Sequence, residues 1–588
     1  MSALAIMLGA LVGVLAKGLV ALINLITNLA FLGRLSVLEA SPKEHHLGAG
    51  VLFVPVIGGL IVGLMARYGS KAIRGHGIPE AMEQVLLNES RINPSITILK
   101  PISSAISIGT GGPFGAEGPI IATGGAVGSL LGQLLRITAH ERKVLLTCGA
   151  AAGMAAIFGS PVAAVMLAIE LLLFEFSPRS IIPVALASVT GAAFHLLLFG
   201  TAPAFAMPAI PQPTAAALAA YVVLGLAAGV AAGLVSRSVY KLEDAFEKLP
   251  IHWMWWPAIG GLAVGAIGIF APETMGVGYD NITNLLSGTL PLRAILVLCV
   301  LKYCSWAVSL SSGTSGGTLA PLLTIGGAFG ALAGMLLHSL IPGAGIDIPT
   351  AALVGMAAMF TGASRALLAS IIFALETTMQ PHALLPLLGG CIAAYFVSYL
   401  VMRGSIMTEK IERRGVRTPQ AYEPDILRSV TVGQVMQSET HVLSAENTVR
   451  EVREWIKHNA SEATELAFAV VTEENQLLGL VNRADIFSRH SSEDGPISEV
   501  VRRNPPFLYA DTPLDAAVDL MQKFDTDLLP VVTNDSSREI VGVLVPRDVF
   551  KAYSMQRNQR RVLHRSISLK RTRMLAIIVR GRKLLRRD

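Results

Sequence analysis

The stretch Gly109-Thr110-Gly111-Gly112-Pro113-Phe114-Gly115-Ala116-Glu117-Gly118-Pro119 packs five glycines, two prolines and one carboxylate into eleven residues. Apolar sequence flanks it on both sides, so Glu117 reads as an acid inside a membrane. An ionisable group at such depth is costly and is by default a functional group. Glycines let the backbone approach a ligand, and Pro119 suits the first turn of a helix continuing through Ile120. A helix start offers unpaired N–H groups and positive dipole charge, which together favour an anion. A carboxylate at that place competes with the anion, which is the behaviour of a gate. The plainer alternative is that the glycines only permit close helix packing and Glu117 serves a buried donor.

The elements that must hold this stretch are helices of membrane-spanning character. Hydrophobic residues make up 52% of the 588 and charged residues only 15%, with mean hydropathy +0.57. That composition excludes an ordinary soluble protein, and apolar runs recur to about residue 402. The first of them, Leu4 to Leu32, is too long for a signal peptide and lacks a small-residue cleavage pattern, so it reads as retained. Further helices are expected over Leu47–Tyr68, from the glycine-proline start Gly75–Glu80 to about Glu89, Pro94–Ile108, Pro119–Leu135, Glu141–Phe158, Pro161–Phe174 and Ser177–Leu198. After a proline-rich break at Pro203–Pro213 come Ala215–Leu249, Trp253–Phe270, Pro291–Leu310, Leu319–Leu340, Thr350–Thr361, Arg365–Thr378 and Leu384–Val401. Several are too short to cross about 30 Å of hydrocarbon. Broken helices at that depth survive only inside protein or beside a cavity. The four cysteines (Cys148, Cys299, Cys304, Cys391) lie in apolar runs without metal-ligand spacing, so neither disulfide nor metal is expected.

An internal repeat organises these runs. Gly124-Gly125-Ala126-Val127-Gly128 matches Gly326-Gly327-Ala328-Phe329-Gly330, and Gly153-Met154-Ala155-Ala156 matches Gly355-Met356-Ala357-Ala358, both at a separation of 202 positions. After a four-residue insertion, Ala168-Ile169-Glu170 matches Ala374-Leu375-Glu376. Two halves with corresponding interrupted segments point to a site at their interface near mid-membrane.

Beyond Arg403 the composition turns charged, with a helix expected over Gly404–Arg417, and then soluble. Residues 430–490 read as strand, helix and strand pair: Val435-Met436, Thr448–His458, Ala467–Thr472 and Leu477–Asn482. Residues 497–553 repeat the pattern, with Val500-Val501, Pro513–Phe524, Leu529–Thr533 and Ile540–Val545. From Arg557 onward there are twelve Lys or Arg and one Asp, a local +11 in a chain of net +6. Behind a membrane domain such a tail reads as cytoplasmic and close to anionic lipid rather than as a nucleic-acid site. Leu575–Val579 within it suggests a short membrane-surface helix.

Three motifs, Gly75-His76-Gly77-Ile78-Pro79-Glu80, Gly115–Pro119 and Gly316-Gly317-Thr318-Leu319-Ala320-Pro321, resemble in this order the CLC family of chloride channels and chloride/proton exchangers. The soluble part resembles a pair of CBS domains. The resemblance implies an all-α polytopic membrane domain of two inverted repeats with broken helices over residues 1–417. A linker (418–429), a cytoplasmic α/β CBS pair (430–490 and 497–553) and the basic tail (554–588) would follow. It implies a homodimer in an inner or plasma membrane, with chloride as transported ligand and no resident cofactor. By position, Glu117 is the gate, and His76, Gly77, Ile78, Ala116, Gly118, Thr318, Leu319 and Met407 line the anion path. Asp485 and Asp548 take the positions that contact the ribose of an adenine nucleotide. Asn482 and Val545 stand where a hydroxyl is usual, which weakens that pattern.

This sequence departs from the family's pattern in four places. His76 stands in place of a serine, Leu319 in place of a phenylalanine, and Met407 in place of a tyrosine whose hydroxyl faces the anion; a thioether donates no hydrogen bond. Leu171 stands where exchangers carry a proton-relaying glutamate, with Glu175 one turn away as a substitute. The reading is therefore a gated passive anion channel, with a coupled chloride/proton antiporter as the alternative. A membrane enzyme using Glu117 as acid or base lacks a nucleophile–base pair, and a cation transporter would need more carboxylates than this membrane half supplies.

Overall fold

The computed structural model describes residues 1–416, 418, 427, 430–438, 442–458, 466–488 and 492–563. Arg417, most of the expected linker 418–429, and the tail beyond 563 with Leu575–Val579 lie outside the described residues. The chain divides into two compact units, residues 1–422 and 423–588.

Unit one is helical. Its first half runs α1 (Ser2–Leu32), α2 (Phe53–Tyr68), α3 (Ile78–Leu87), α4 (Ile96–Gly109), α5 (Glu117–Leu134), α6 (Ala139–Phe158), α7 (Pro161–Ala168) and α8 (Pro178–Leu198). Its second half runs α9 (Ala215–Glu247), α10 (Trp256–Phe270), α11 (Tyr279–Leu286), α12 (Leu292–Ser311), α13 (Leu319–Leu340), α14 (Ile348–Ser364), α15 (Leu367–Thr378) and α16 (Leu384–Val401). Among the described residues, eight helical segments are long and apolar enough to cross a membrane. Element for element the halves correspond: α5 and α13 begin 202 positions apart, and α4 and α12 end 202 apart.

The relation between the halves is an inversion, and glycines reveal it. A Cβ on Gly59 or Gly63 of α2 would collide with the carbonyls of Pro257 and Met254. A Cβ on Gly261 or Gly265 of α10 would collide with those of Pro55 and Leu52. Each contact has its counterpart 202 positions away, the signature of an isologous two-fold packing. As α2 advances from 52 to 63, its partner positions fall from 265 to 254, so equivalent helices run antiparallel. Inside each half the glycines do what the packing alternative expected. Gly124 abuts the Gly149 backbone, and Gly326 abuts that of Gly355, closing α5 on α6 and α13 on α14.

Four expectations need correction. The charged helix expected over Gly404–Arg417 shrinks to α17 (Glu409–Arg413); Arg365 holds the carbonyls of Met402 and Arg403, and Ser405 N–H donates to Thr408 Oγ1, so the backbone there is a turn. The helix expected over Pro161–Phe174 is α-helical only to Ala168 and continues as a π-helical turn, Ile169–Leu173. Helix α11 is absent from the sequence reading altogether. In unit two, Val435 ends a short helix (Val432–Val435) rather than a strand, and Val500-Val501 precede a strand rather than form one.

Among its described residues unit two carries two small sheets. One has the order β1 (Leu443–Ser444), β2 (Ala467–Val471), β3 (Leu477–Asn482), β4 (Arg502–Arg503); the other has β5 (Leu508–Tyr509), β6 (Leu529–Val532), β7 (Ile540–Leu544). Each pairs its first two strands parallel and its next two antiparallel. Each also has a register break at the matching place, Val470/Val471 and Val531/Val532. The halves exchange their ends: β4 pairs with β3, whereas Val432 and Val435 pack with Leu508, Leu514 and Leu544.

Candidate functional site: a carboxylate seated on a helix start

Three chain segments meet on the two-fold. Gly75 N–H donates to Thr314 O (3.0 Å), Gly316 N–H to Gly75 O (3.4 Å) and Gly317 N–H to Gly115 O (3.2 Å). Gly115 and Gly317 are repeat mates paired with each other, so the axis passes between them. A Cβ on Gly118 would strike the His76 carbonyl, and one on Gly77 the Gly118 carbonyl. The starts of α3, α5 and α13 therefore converge at backbone contact distance, with Gly77 at φ 97°, a conformation that favours glycine.

Glu117 is fully buried. Its Oε1 accepts the Ala320 N–H at 2.7 Å, in the first turn of α13, and its Oε2 accepts the Tyr279 hydroxyl at 3.0 Å. The carboxylate thus begins one half's helix and plugs the start of the equivalent helix in the other half. Its charge meets the positive end of α13 and a charge-assisted hydrogen bond, the arrangement a bound anion would use.

The remaining expected residues fall around this point. Ala116 is the residue before α5, Gly77 the residue before α3 and Thr318 the residue before α13; Ile78 and Leu319 open their helices. His76 is buried and its Nδ1 has no hydrogen-bond partner. Gly77 N–H donates to Glu80 Oε2 (2.6 Å), and Lys410 of α17 lies 3.6 Å from Glu80 Oε1. That pair ties the chain just after Met407 to the His76 turn. Met407 itself is fully buried, in a segment held by Ile406 N–H to Ala363 O (2.8 Å) and by the Tyr240 hydroxyl to Ile406 O (2.7 Å). Among the described residues no hydrogen bond joins it to Glu117.

Leu171 is buried in the π-helical turn. Its neighbour Glu170 accepts the N–H groups of Leu368 (2.9 Å) and Ala369 (3.0 Å), capping α15. Its repeat mate Glu376 accepts those of Val162 (3.0 Å) and Ala163 (2.8 Å), capping α7. The two repeat-mate glutamates thus cap helix starts in each other's half. Glu175 lies 3.3 Å from Lys143 and accepts the Ser180 hydroxyl. Burial pushes its carboxyl up, but Ser180 and Lys143 outweigh that and hold it below the ordinary carboxylate range.

Sequence reasoning missed two lysines and a tyrosine. Lys100 and Lys302, 202 positions apart and both fully buried, each spend their ammonium on two carbonyls. Lys100 donates to Ile73 O (2.8 Å) and Gly75 O (2.9 Å); Lys302 donates to Thr274 O (2.9 Å) and Gly276 O (3.0 Å). They fix equivalent loops, one leading into His76 and the other into Tyr279. The signal was present: Gly75-His76-Gly77-Ile78 repeats as Gly276-Val277-Gly278-Tyr279, 201 positions on. Tyr279 is therefore the repeat mate of Ile78.

In unit two, Asp548 is fully buried and its carboxylate accepts Gln437 Nε2 (3.0 Å), Lys551 Nζ (2.8 Å) and Val545 N–H (3.2 Å). Asp485 pairs with Arg502 at 3.1 Å. A ribose at Asp548 would have to displace these donors, whereas Asp485 is one-third exposed.

Comparison with known proteins matches this arrangement. The family model for voltage gated chloride channels matches residues 58–399, and that for the CBS domain matches residues 497–555. A ClcB-like protein of Ralstonia nicotianae is 30% identical over 63% of this chain and 89% of its own length. The chloride channel protein CLC-f of Arabidopsis thaliana is 27% identical, covering 84% and 72%. The H+/Cl− exchange transporter ClcA of Citrobacter koseri is 29% identical, covering 54% and 69%. In fold, a slow cyanobacterial Cl−/H+ antiporter superposes with TM-score 0.64 at 22% identity, over 70% of this chain and 97% of that one. A eukaryotic CLC transporter superposes with TM-score 0.59 at 18% identity, over 93% and 97%. With two inverted helical halves meeting at a carboxylate-plugged helix start, and the family model spanning more than half its length, the chain belongs to the voltage-gated chloride channel family and carries a CBS domain behind its membrane helices.

Proposed function

We infer that the chain lets chloride, or a small anion of like charge, cross the membrane through the point where Glu117 meets α13, with Glu117 as the gate. The observation that carries this reading is the Glu117 carboxylate on the Ala320 N–H at 2.7 Å: an anion's place held by the protein's own anion. Two copies associate as a homodimer, one path in each, and the CBS pair and basic tail face the cytoplasm.

Passive conduction is the form of transport best supported. Coupling to protons needs titratable groups between the inner face and Glu117. Leu171 carries none, Glu170 is occupied by α15, and Glu175 is tied to Lys143 and Ser180, which hold it below the ordinary carboxylate range. Coupled exchange is the second reading, favoured by similarity to proteins named as H+/Cl− exchange transporters. The deciding experiment is proton movement into proteoliposomes, with voltage clamped and only chloride out of equilibrium. Flux without proton movement is expected; a fixed chloride-to-proton ratio would establish exchange.

The CBS pair modulates the path without lining it. An adenine nucleotide would sit against Asp485, and ATP or AMP should then raise the melting temperature of the full chain. No shift at millimolar nucleotide would remove that ligand from the reading.

A further inference from the structure

Tyr279 touches the gate from the half of the molecule that carries no gating acid. Its hydroxyl donates to Glu117 Oε2 at 3.0 Å, while Oε1 is taken by Ala320. The loop before the phenol and the rings on one side of it hold it in place. Lys302 holds the carbonyls of Thr274 and Gly276 just before it. Gly276 N–H donates to Gly111 O (3.0 Å), tying this loop to the glycine stretch ahead of Glu117. Gly276 and Gly278 adopt φ of 65° and 72°, a bend that places Tyr279 as the first residue of α11. Behind it, Phe158 and Phe205 pack against the ring edge-on, at 5.5 and 6.0 Å between centroids.

The other side of Tyr279 is open. A cavity of about 830 Å³ reaches it and Ala116, and passes between Lys17, Lys43 and Asp280. Lys43 and Asp280 form an ion pair at 3.3 Å with both side chains substantially exposed. This cavity is a vestibule lined by Tyr279 and by the residue before Glu117, among others.

We propose that Tyr279 is the latch of the gate, a positioning residue that holds the Glu117 carboxylate on α13 and must let go before an anion from the vestibule can take its place. This rests on Glu117 being the gate. The phenylalanines pack on the ring and Lys302 holds the loop before it, so the bond breaks when the carboxylate swings away rather than when the tyrosine moves. The latch therefore sets how long the path stays closed and has no part in holding the anion.

The test is chloride flux from proteoliposomes containing the full chain with Glu117→Gln, Tyr279→Phe, Glu117→Ala, and Glu117→Ala combined with Tyr279→Phe. Tyr279→Phe keeps the ring and removes one hydrogen bond to a charged group, and a rise of roughly tenfold in flux is expected. In the Glu117→Ala background the same change should add nothing, because the latch has nothing to hold; a merely structural tyrosine would act in both backgrounds. Unchanged flux in Glu117→Gln would overturn the gate itself. A raised flux in Glu117→Gln with unchanged flux in Tyr279→Phe would overturn the latch and leave the gate standing. An equal rise from Tyr279→Phe with and without Glu117 would also overturn the latch. Should Tyr279→Phe elute as aggregate, Tyr279→Met carries the same expectations.

Discussion

The two halves of the membrane unit are alike in scaffold and unlike at the axis. Both have a buried lysine holding two loop carbonyls, a glycine-x-glycine bend before a short helix, and a glutamate that caps a helix of the opposite half. At the equivalent helix starts, however, the first half presents Glu117 and the second Leu319; after the equivalent bends come Ile78 and Tyr279. Duplication supplied the frame, and divergence at a few positions supplied the chemistry. A symmetric pair of carboxylates would repel across the Gly115–Gly317 contact. One acid with one hydroxyl facing it can close and open.

The largest way to break this asymmetry is to neutralise its single charge. Glu117→Gln keeps the shape and loses the charge-assisted bond to Ala320; flux should rise about 10- to 100-fold, and its pH dependence should vanish. Anion efflux across a range of pH measures both.

The lysines sharpen the comparison, because equal clamps serve unequal loops. Lys302→Met and Lys100→Met each orphan two buried carbonyls, at about 1–3 kcal/mol apiece, and both should lower the melting temperature in detergent by similar amounts. Only Lys302→Met should also raise flux, since only its loop carries Tyr279. Equal flux in the two variants would mean the loops are functionally interchangeable.

A smaller and symmetric effect is expected for Glu170→Gln and Glu376→Gln. Each weakens a two-donor cap on a short helix, worth roughly 0.5–2 kcal/mol, and the two should destabilise alike in a denaturant or thermal titration. Proton coupling lost in Glu170→Gln alone would make that residue a relay and not a cap.

His76→Ser should have the least effect. Its Nδ1 is buried without a partner, so losing the ring removes at most one hydrogen bond to a passing anion. The chloride-to-nitrate flux ratio should change by about 2- to 10-fold while stability stays put.

Much of this was legible in the sequence because membrane helices leave little to chance. The constant separation of 202, the glycines that close α5 on α6, and a lone acid at a glycine-rich start each follow from local constraints. Tyr279 was not legible because α11 is eight residues long and opens with Tyr279-Asp280-Asn281, with no apolar run to mark it. Lys100 and Lys302 sit in apolar helices, where their partners are carbonyls supplied by loops some 25 residues away. Met407 was read onto a helix, but Arg365 captures the carbonyls before it. In unit two the edge strands are two residues long, so the partner sheet, not propensity, decides where Arg502-Arg503 pair.

The reciprocal caps also set a timetable for the molecule's birth. The N–H groups that open α7 are made early, yet the carboxylate that receives them, Glu376, comes 214 residues later. At about 5–20 residues per second, roughly 10–40 s of synthesis separate the two. Throughout that interval the helix start lacks the carboxylate that caps it in the finished fold. The first half is completed by the second: a chain that ended between them would leave the start of α7 without its cap.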